Sequence, residues 1–253
     1  MDMQPPEWLK LSDELAWPLV GMGLATLRPE QAGSPDMNVI PYLALLHFAH
    51  CLETSVDANH AGKHSVAICL VRHCIETLTL VDIGLQDDSY AAPLLEAWKA
   101  HKKSHSDLRA SLETHIWPRY STGLWDESWA EYFGNLARAV QPYAHYTHEL
   151  QGWQLAMVSG DFERKGALML MGLHTYDPLK ASRITLFHSL VGWTLGRLLV
   201  AHGRNMDVLA RAQQIGALGH ALGRSKLLFK RKEWGVELLP DMLFKEGADW
   251  RDP

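Results

Sequence analysis

The pentapeptide His50-Cys51-Leu52-Glu53-Thr54 recurs as His73-Cys74-Ile75-Glu76-Thr77. Histidine and glutamate three residues apart share one helical face, a spacing used by metal sites and acid/base pairs. The flanks diverge: His47-Phe48-Ala49 stands against Leu70-Val71-Arg72, and Ser55-Val56-Asp57 against Leu78-Thr79-Leu80. A duplication leaves longer similarity, so chance or shared helix chemistry explains the pair better. In an antiparallel hairpin turning near residue 60, His47 lies level with His73. Glu53 and Glu76 then fall about 14 Å out of level at 1.5 Å per residue, too far for ligand bonds of about 2 Å to one ion. His47, His50, His73 and Glu76 form a conceivable ligand set. Di-metal carboxylate bundles, however, use several Glu and paired Glu-x-x-His motifs, which this chain lacks, so no metal is expected.

The second copy has an addition: Arg72 and Glu76 stand four apart on one helical face of a strongly apolar stretch. A buried ion pair costs desolvation on both partners, so it calls for an internal network or a pocket. Tyr143-Ala144-His145-Tyr146-Thr147-His148-Glu149 is a second polar concentration. Its His145 and His148 suit acid/base work, or they are polar tips of a kinked-helix interface. Arg197 and His202 give R-x4-H on an amphipathic helix, and Arg138 to His145 gives R-x6-H. An arginine that holds phosphate and a histidine that moves a proton suit metal-free RNA cleavage. Arg224, Lys226, Lys230, Arg231 and Lys232 surround Phe229 and precede Trp234, a pattern open to a nucleic-acid backbone or to a solvated helix end. There is no Gly-rich phosphate loop, G-x-S-x-G elbow or zinc spacing, and no cofactor is expected.

These residues need helices to position them. The 3.6-residue spacing of Ile40, Leu43, Leu46, His47, His50 and Glu53 predicts a helix from Met37 to about Val56, with Pro41 in its first turn. Asn59 to Gly62 reads as a turn, and 63–84 as a central helix, apolar all round. Asp87, Asp88 and Ser89 are cap candidates for a polar helix to about His115, whose run 101–105 reads as a solvated face. Trp117-Pro118 breaks it. A helix over 126–140 puts Trp129, Phe133 and Leu136 on one stripe, and Pro142 interrupts it. The stretch 154–172 is open between a small β-hairpin and a helix–turn. Asp177-Pro178 starts a long helix ending at Gly203, and Asn205 caps another to Leu222. The expectation is an all-α, multi-helix bundle. Residues 1–36, rich in proline and acid, read as an irregular arm or a short helix with loops. The bundle spans 37–222, and 223–253 is a basic tail packed on it.

The 253 residues suffice for one sizeable core. A hydrophobic share of 47% with 21% charged residues fits a soluble globular protein, and a formal net charge of -5 argues against a chain-wide nucleic-acid or membrane footprint while leaving local patches open. Cys51, Cys69 and Cys74 form no C-x-x-C and read as reduced thiols packed in helices. The acidic start, Met1-Asp2-Met3-Gln4-Pro5-Pro6, does not look like a signal peptide. The apolar stretch Val66 to Leu85 carries Arg72, His73, Glu76 and Asp82, more than a membrane span bears. A cytoplasmic location is expected, with no membrane partner.

Arg72 and Glu76 on one helix, followed some seventy residues later by the Tyr143–His148 segment, resemble a loose class of bacterial helical proteins. That class is similar in turn to the HEPN nucleotide-binding and ribonuclease superfamily, often found near toxin–antitoxin or phage-defence systems. The resemblance covers the layout of roughly residues 37–205. HEPN ribonucleases share an R-x4-6-H motif late in a helical bundle and commonly dimerise to pair two such motifs. The resemblance implies RNA binding or metal-independent cleavage, with Arg197 clamping phosphate and His202 assisting proton transfer. Arg72, His73, Glu76, Tyr143, His145 and His148 would line or brace the pocket. In those enzymes a polar residue usually follows the arginine; here it is Leu198. A homodimer or a protein partner is expected, and the alternative function is a non-catalytic interaction or sensor subunit of a larger complex, consistent with ten Trp and the proline-rich arm.

Overall fold

The computed structural model describes residues 6–27, 35–143, 150, 176–203 and 205–225. Within them the protein is all α, with nine α-helices and no strand among the described residues. They are α1 (Glu7–Thr26), α2 (Pro35–His60), α3 (His64–Gly84), α4 (Asp88–Lys99), α5 (His105–His115), α6 (Trp129–Val140), α7 (Pro178–His202), α8 (Met206–Ala210) and α9 (Ala212–Arg224). The expected hairpin at 154–172 and the tail beyond Ser225 lie outside the described residues.

The antiparallel α2–α3 hairpin is the most extensively packed pair. It turns at Gly62, whose φ of 72° is left-handed and suits a residue without Cβ. The register is the one that a turn near residue 60 implies. The rings of His47 and His73 meet edge to face at 5.9 Å. Ser55 Oγ donates to the Ala67 carbonyl at 2.8 Å. At the far end Gly84 has no Cβ to strike Pro41, which lets the start of α2 close on the end of α3. Helix α3 is the centre: fourteen of its residues are buried, and α2, α4, α5, α6 and α7 all pack on it.

Several elements differ from the sequence expectation. The arm 1–36 is not irregular where it is described: α1 runs 20 residues and buries Trp8, Leu15 and Leu19 against α7 and α9. Pro18 sits inside α1, where its missing N–H costs one intrahelical bond. The helix survives because tertiary burial of its apolar stripe outweighs that loss. The single helix expected over 88–115 is two. His101 takes a φ of 57°, and Ser104 then caps α5 in a capping box with Asp107, so the run 101–105 is a helix break. Arg211 likewise splits the helix expected after Asn205. Helix α7 ends at Gly203, φ 59°, as its sequence suggests. Among the described residues, the two segments long, apolar and sparsely charged enough to cross a membrane are Val39–His60 and Lys180–His202, rather than Val66–Leu85. Of the apolar window of Lys180–His202, 78% is buried inside the protein, as for a core helix, and of that of Val39–His60, 39%.

Two neutral histidines latch α7 to the hairpin. The Asp177 backbone N–H donates to His64 Nε2 at 3.0 Å, so His64 carries its proton on Nδ1 and donates it to Asn59 Oδ1 at 2.9 Å. Asn59 Nδ2 in turn donates to the Ala181 carbonyl at 3.0 Å. Deeper along α7, His188 Nε2 lies 2.7 Å from Ser55 Oγ. Burial lowers the pKa of both, for His188 to about 3. A histidine whose folded pKa lies below its unfolded value, near ~6.5, adds stability that is complete above that pH and is lost as pH falls toward the folded value. Unfolding free energy, followed by urea titration, should therefore be flat above about pH 6.5 and decline as the pH drops toward about 4. His64→Asn should make that decline shallower; an unchanged pH profile would rule out His64 as a neutral latch.

Candidate anion-binding cleft

Helices α3, α5 and α6 leave between them a cleft of about 590 Å³ that collects three guanidinium groups, Arg72, Arg109 and Arg138. Each reaches it from a different helix. Arg72 is on the buried side of α3, 7% exposed, and pairs with Glu76 Oε1 at 2.9 Å while Nη1 donates to the Ala137 carbonyl at 3.3 Å. Its Nε is buried with no hydrogen-bond partner among the described residues. A buried guanidinium that leaves a donor unspent has capacity for an acceptor not yet present. Arg109 stands on α5 and Arg138 near the end of α6, where it donates to Asn135 Oδ1 one turn earlier. Ser104, His105 and Ser106, the start of α5, make one wall, so the positive end of that helix dipole adds to the field. The Asp107 carboxylate, accepting from the Ser104 backbone at 2.7 Å, offsets part of it.

The electrostatics of the cleft are those of a site short of negative charge. Burial and then the charge of Arg72 lower the pKa of Arg109, and Glu76 only partly compensates. His105 is pushed down by burial, with Arg109 and Arg72 acting in the same direction against Glu76. It rests edge-on against Trp98, ring centroids 5.6 Å apart, with a buried Nδ1 that has no hydrogen-bond partner. Among the described residues, Glu113 is the one carboxylate in the lining. A tetrahedral oxyanion fits this donor set, since arginine forks match phosphate oxygens and give up their hydration more readily than ammonium groups do.

The residues singled out from sequence fall into three places. Arg72 lines this cleft, and Glu76 pairs with it from the same helix without lining it. His73 is exposed on α3, against His47, and does not line the cleft. Tyr143 is buried beside Arg183 and does not line the cleft. Arg224 is exposed, its Nη2 3.5 Å from Glu7 Oε2. His145, His148, Lys226, Lys230, Arg231 and Lys232 lie outside the described residues. Among the described residues no group of three His, Cys, Asp or Glu is arranged to hold a metal ion.

Arg197 and His202 make different sets of contacts. Arg197 stacks over Trp193 and Trp129, 5.2 and 5.8 Å from the ring centroids, and donates to Ser121 Oγ and the Thr122 carbonyl. His202 enters a network built on Asp82, a carboxylate 1% exposed near the end of α3. Asp82 accepts from Trp117 Nε1 at 2.7 Å, from the Tyr120 hydroxyl at 2.5 Å and from Gln86 Nε2 at 3.0 Å. His202 Nε2 sits 2.9 Å from both Tyr120 Oη and Gln86 Nε2 and 3.7 Å from Asp82 Oδ1. Burial and the Asp82 charge raise the pKa of Tyr120 well above the usual phenol range, which keeps its proton on the bond to Asp82. Arg72 and Asp82 are ten residues, about 15 Å, apart on α3, so the arginine cleft and the His202 network are separate.

Sequence reasoning passed over Arg109, His105 and the Asp82 network. Asp82 carried a readable signal, because a carboxylate inside an apolar helix needs donors. Arg109 carried none, since an arginine on a polar 11-residue helix is ordinary until α5 is docked. Compared with protein-family models, curated proteins and solved structures, the chain matches none.

Replacing Asp82 by Ala strands the Trp117 indole N–H and takes the shared acceptor from Tyr120 and Gln86, and should lower unfolding free energy by about 3 kcal/mol or more. His202→Ala removes one partner at the network's edge and should cost about 1–2 kcal/mol. Urea denaturation of the two variants checks the order, and an Asp82→Ala protein as stable as the wild type would refute the network's structural weight.

Proposed function

We propose that the protein binds RNA by its phosphates, in the cleft formed by Arg72, Arg109 and Arg138. The observation that carries this reading is the orphaned, buried Nε of Arg72 beside two further guanidiniums in an open cleft of about 590 Å³. Acidic proteins that bind nucleic acid need such a local concentration of positive charge, because the net field of -5 opposes approach. The resemblance to HEPN proteins points to the same ligand class, and a toxin–antitoxin or phage-defence setting would supply it. In this reading Arg197 and His202 brace the bundle. The guanidinium of Arg197 lies on two tryptophans and its Nη2 donates to the Ser121 side chain and the Thr122 carbonyl, and the His202 side chain is only 10% exposed. A histidine so enclosed offers no edge to a 2′-hydroxyl.

A second reading, a non-catalytic interaction subunit, draws on the exposed apolar residues Val39 and Leu43, one turn apart on α2 and 37% and 53% exposed. The two readings are compatible if that face meets a partner or a second copy.

The test is fluorescence anisotropy with a labelled single-stranded RNA. Arg109→Ala and Arg138→Ala should each weaken binding by about tenfold and lower the salt slope by about one. Arg197→Ala, judged on its folded fraction, should bind as the wild type does. Wild-type affinity in both cleft variants, or RNA cleavage that disappears with His202→Ala, would overturn the proposal.

A further inference from the structure

On the other side of the hairpin, α1, α2 and α7 enclose a groove of about 670 Å³, within the range of small-molecule sites. Its charge is opposite to that of the arginine cleft. Asp13 from α1 and Glu53 and Asp57 from α2 supply three carboxylates, and no Lys or Arg among the described residues lines it. His60 is the one basic side chain at the rim, and its field on Asp13 opposes the effect of burial, which raises the Asp13 pKa. Trp17, 48% exposed, offers a ring face, and Leu9, Leu52 and Val56 supply an apolar wall.

The floor makes this more than a set of surface acids. His188 is 8% exposed and lines the groove. Ser55 Oγ, 0% exposed, lies 2.8 Å from the Ala67 carbonyl and 2.7 Å from His188 Nε2. A hydroxyl has one proton, and a carbonyl can only accept it, so Ser55 donates to Ala67 and His188 donates from Nε2 to Ser55. That fixes the tautomer: Nδ1 is left as a bare lone pair. Nδ1 has no hydrogen-bond partner among the described residues, and the His188 side chain that carries it lines the groove. The groove thus presents an acceptor at its base, carboxylates at its rim, an apolar wall and an indole face.

We propose that this groove binds an organic ammonium ion carrying an alkyl chain. The N–H donors of the ammonium meet His188 Nδ1 and the carboxylates, the positive charge is favoured by the acids and the Trp17 ring, and the chain lies on Leu9, Leu52 and Val56. A bare metal ion would leave the apolar wall unused, and a tetra-alkylammonium has no donor for Nδ1.

The test is calorimetric titration of the full chain at neutral pH with n-hexylammonium chloride. Hexanol serves as the neutral analogue, and tetramethylammonium and magnesium chlorides as the other cations. n-Hexylammonium should bind at least about tenfold more tightly than hexanol or tetramethylammonium, because only it combines charge, donors and chain. The exposed rim variant Asp13→Asn/Asp57→Asn, which leaves the buried Ser55–His188 pair intact, should lose about tenfold or more. Hexanol binding as well as the ammonium, magnesium competing it out at equal concentration, or an unchanged affinity in the rim variant would each overturn the proposal. RNA binding by the rim variant should equal that of the wild type, so this test fails or succeeds apart from the one on the arginine cleft.

Discussion

Helix α3 must carry charge through the driest part of the molecule, and much of the structure is the consequence. An ionised side chain in an apolar interior is expensive unless its hydrogen-bonding capacity is met. Asp82 is met fully by an indole N–H, a phenol and an amide. Those donors come from the segment after α5 and from the residues just past α3, so the carboxylate fixes how the 117–120 turn lies on the bundle and draws the end of α7 in through His202. Arg72, ten residues earlier and near the middle of the same helix, is met only in part. One charge closes a network; the other leaves one open, and an open network at a solvent-reached cleft is where a ligand has something to gain.

The two concavities are also electrically distinct. Three guanidiniums gather where α3, α5 and α6 meet, and three carboxylates gather where α1, α2 and α7 meet. A modest net charge conceals this division. Each concavity has a polar atom without a protein partner among the described residues, Arg72 Nε in one and His188 Nδ1 in the other, and the two atoms call for opposite ligands, an acceptor and a donor.

Much of the scaffold was legible in the sequence for identifiable reasons. The α2–α3 register follows from the Asn59–Gly62 turn, and α7 from Asp177-Pro178 and Gly203, since these residues act through local backbone geometry. Helix α1 was not legible because Pro18 argues against it locally while Trp8, Leu15 and Leu19 outweigh that only once α7 and α9 are present. The break at Ser104 was hidden by a charged run that suits either a solvated helix or a loop. At the site, Arg72 and Glu76 were visible because a four-residue spacing is a property of one helix. Arg109 and Arg138 join them only through the packing of three helices, which no spacing encodes. Arg197 and His202 have a spacing suited to catalysis, and the packing directs them to separate partners.

The most direct measurement of the central claim is the NMR response of arginine Nε–H groups to a short single-stranded RNA. The account predicts that the resonances of Arg72, Arg109 and Arg138 shift on titration while that of Arg197, held on Trp193 and Trp129, stays in place. Shifts confined to Arg197, with the three cleft arginines unmoved, would contradict it.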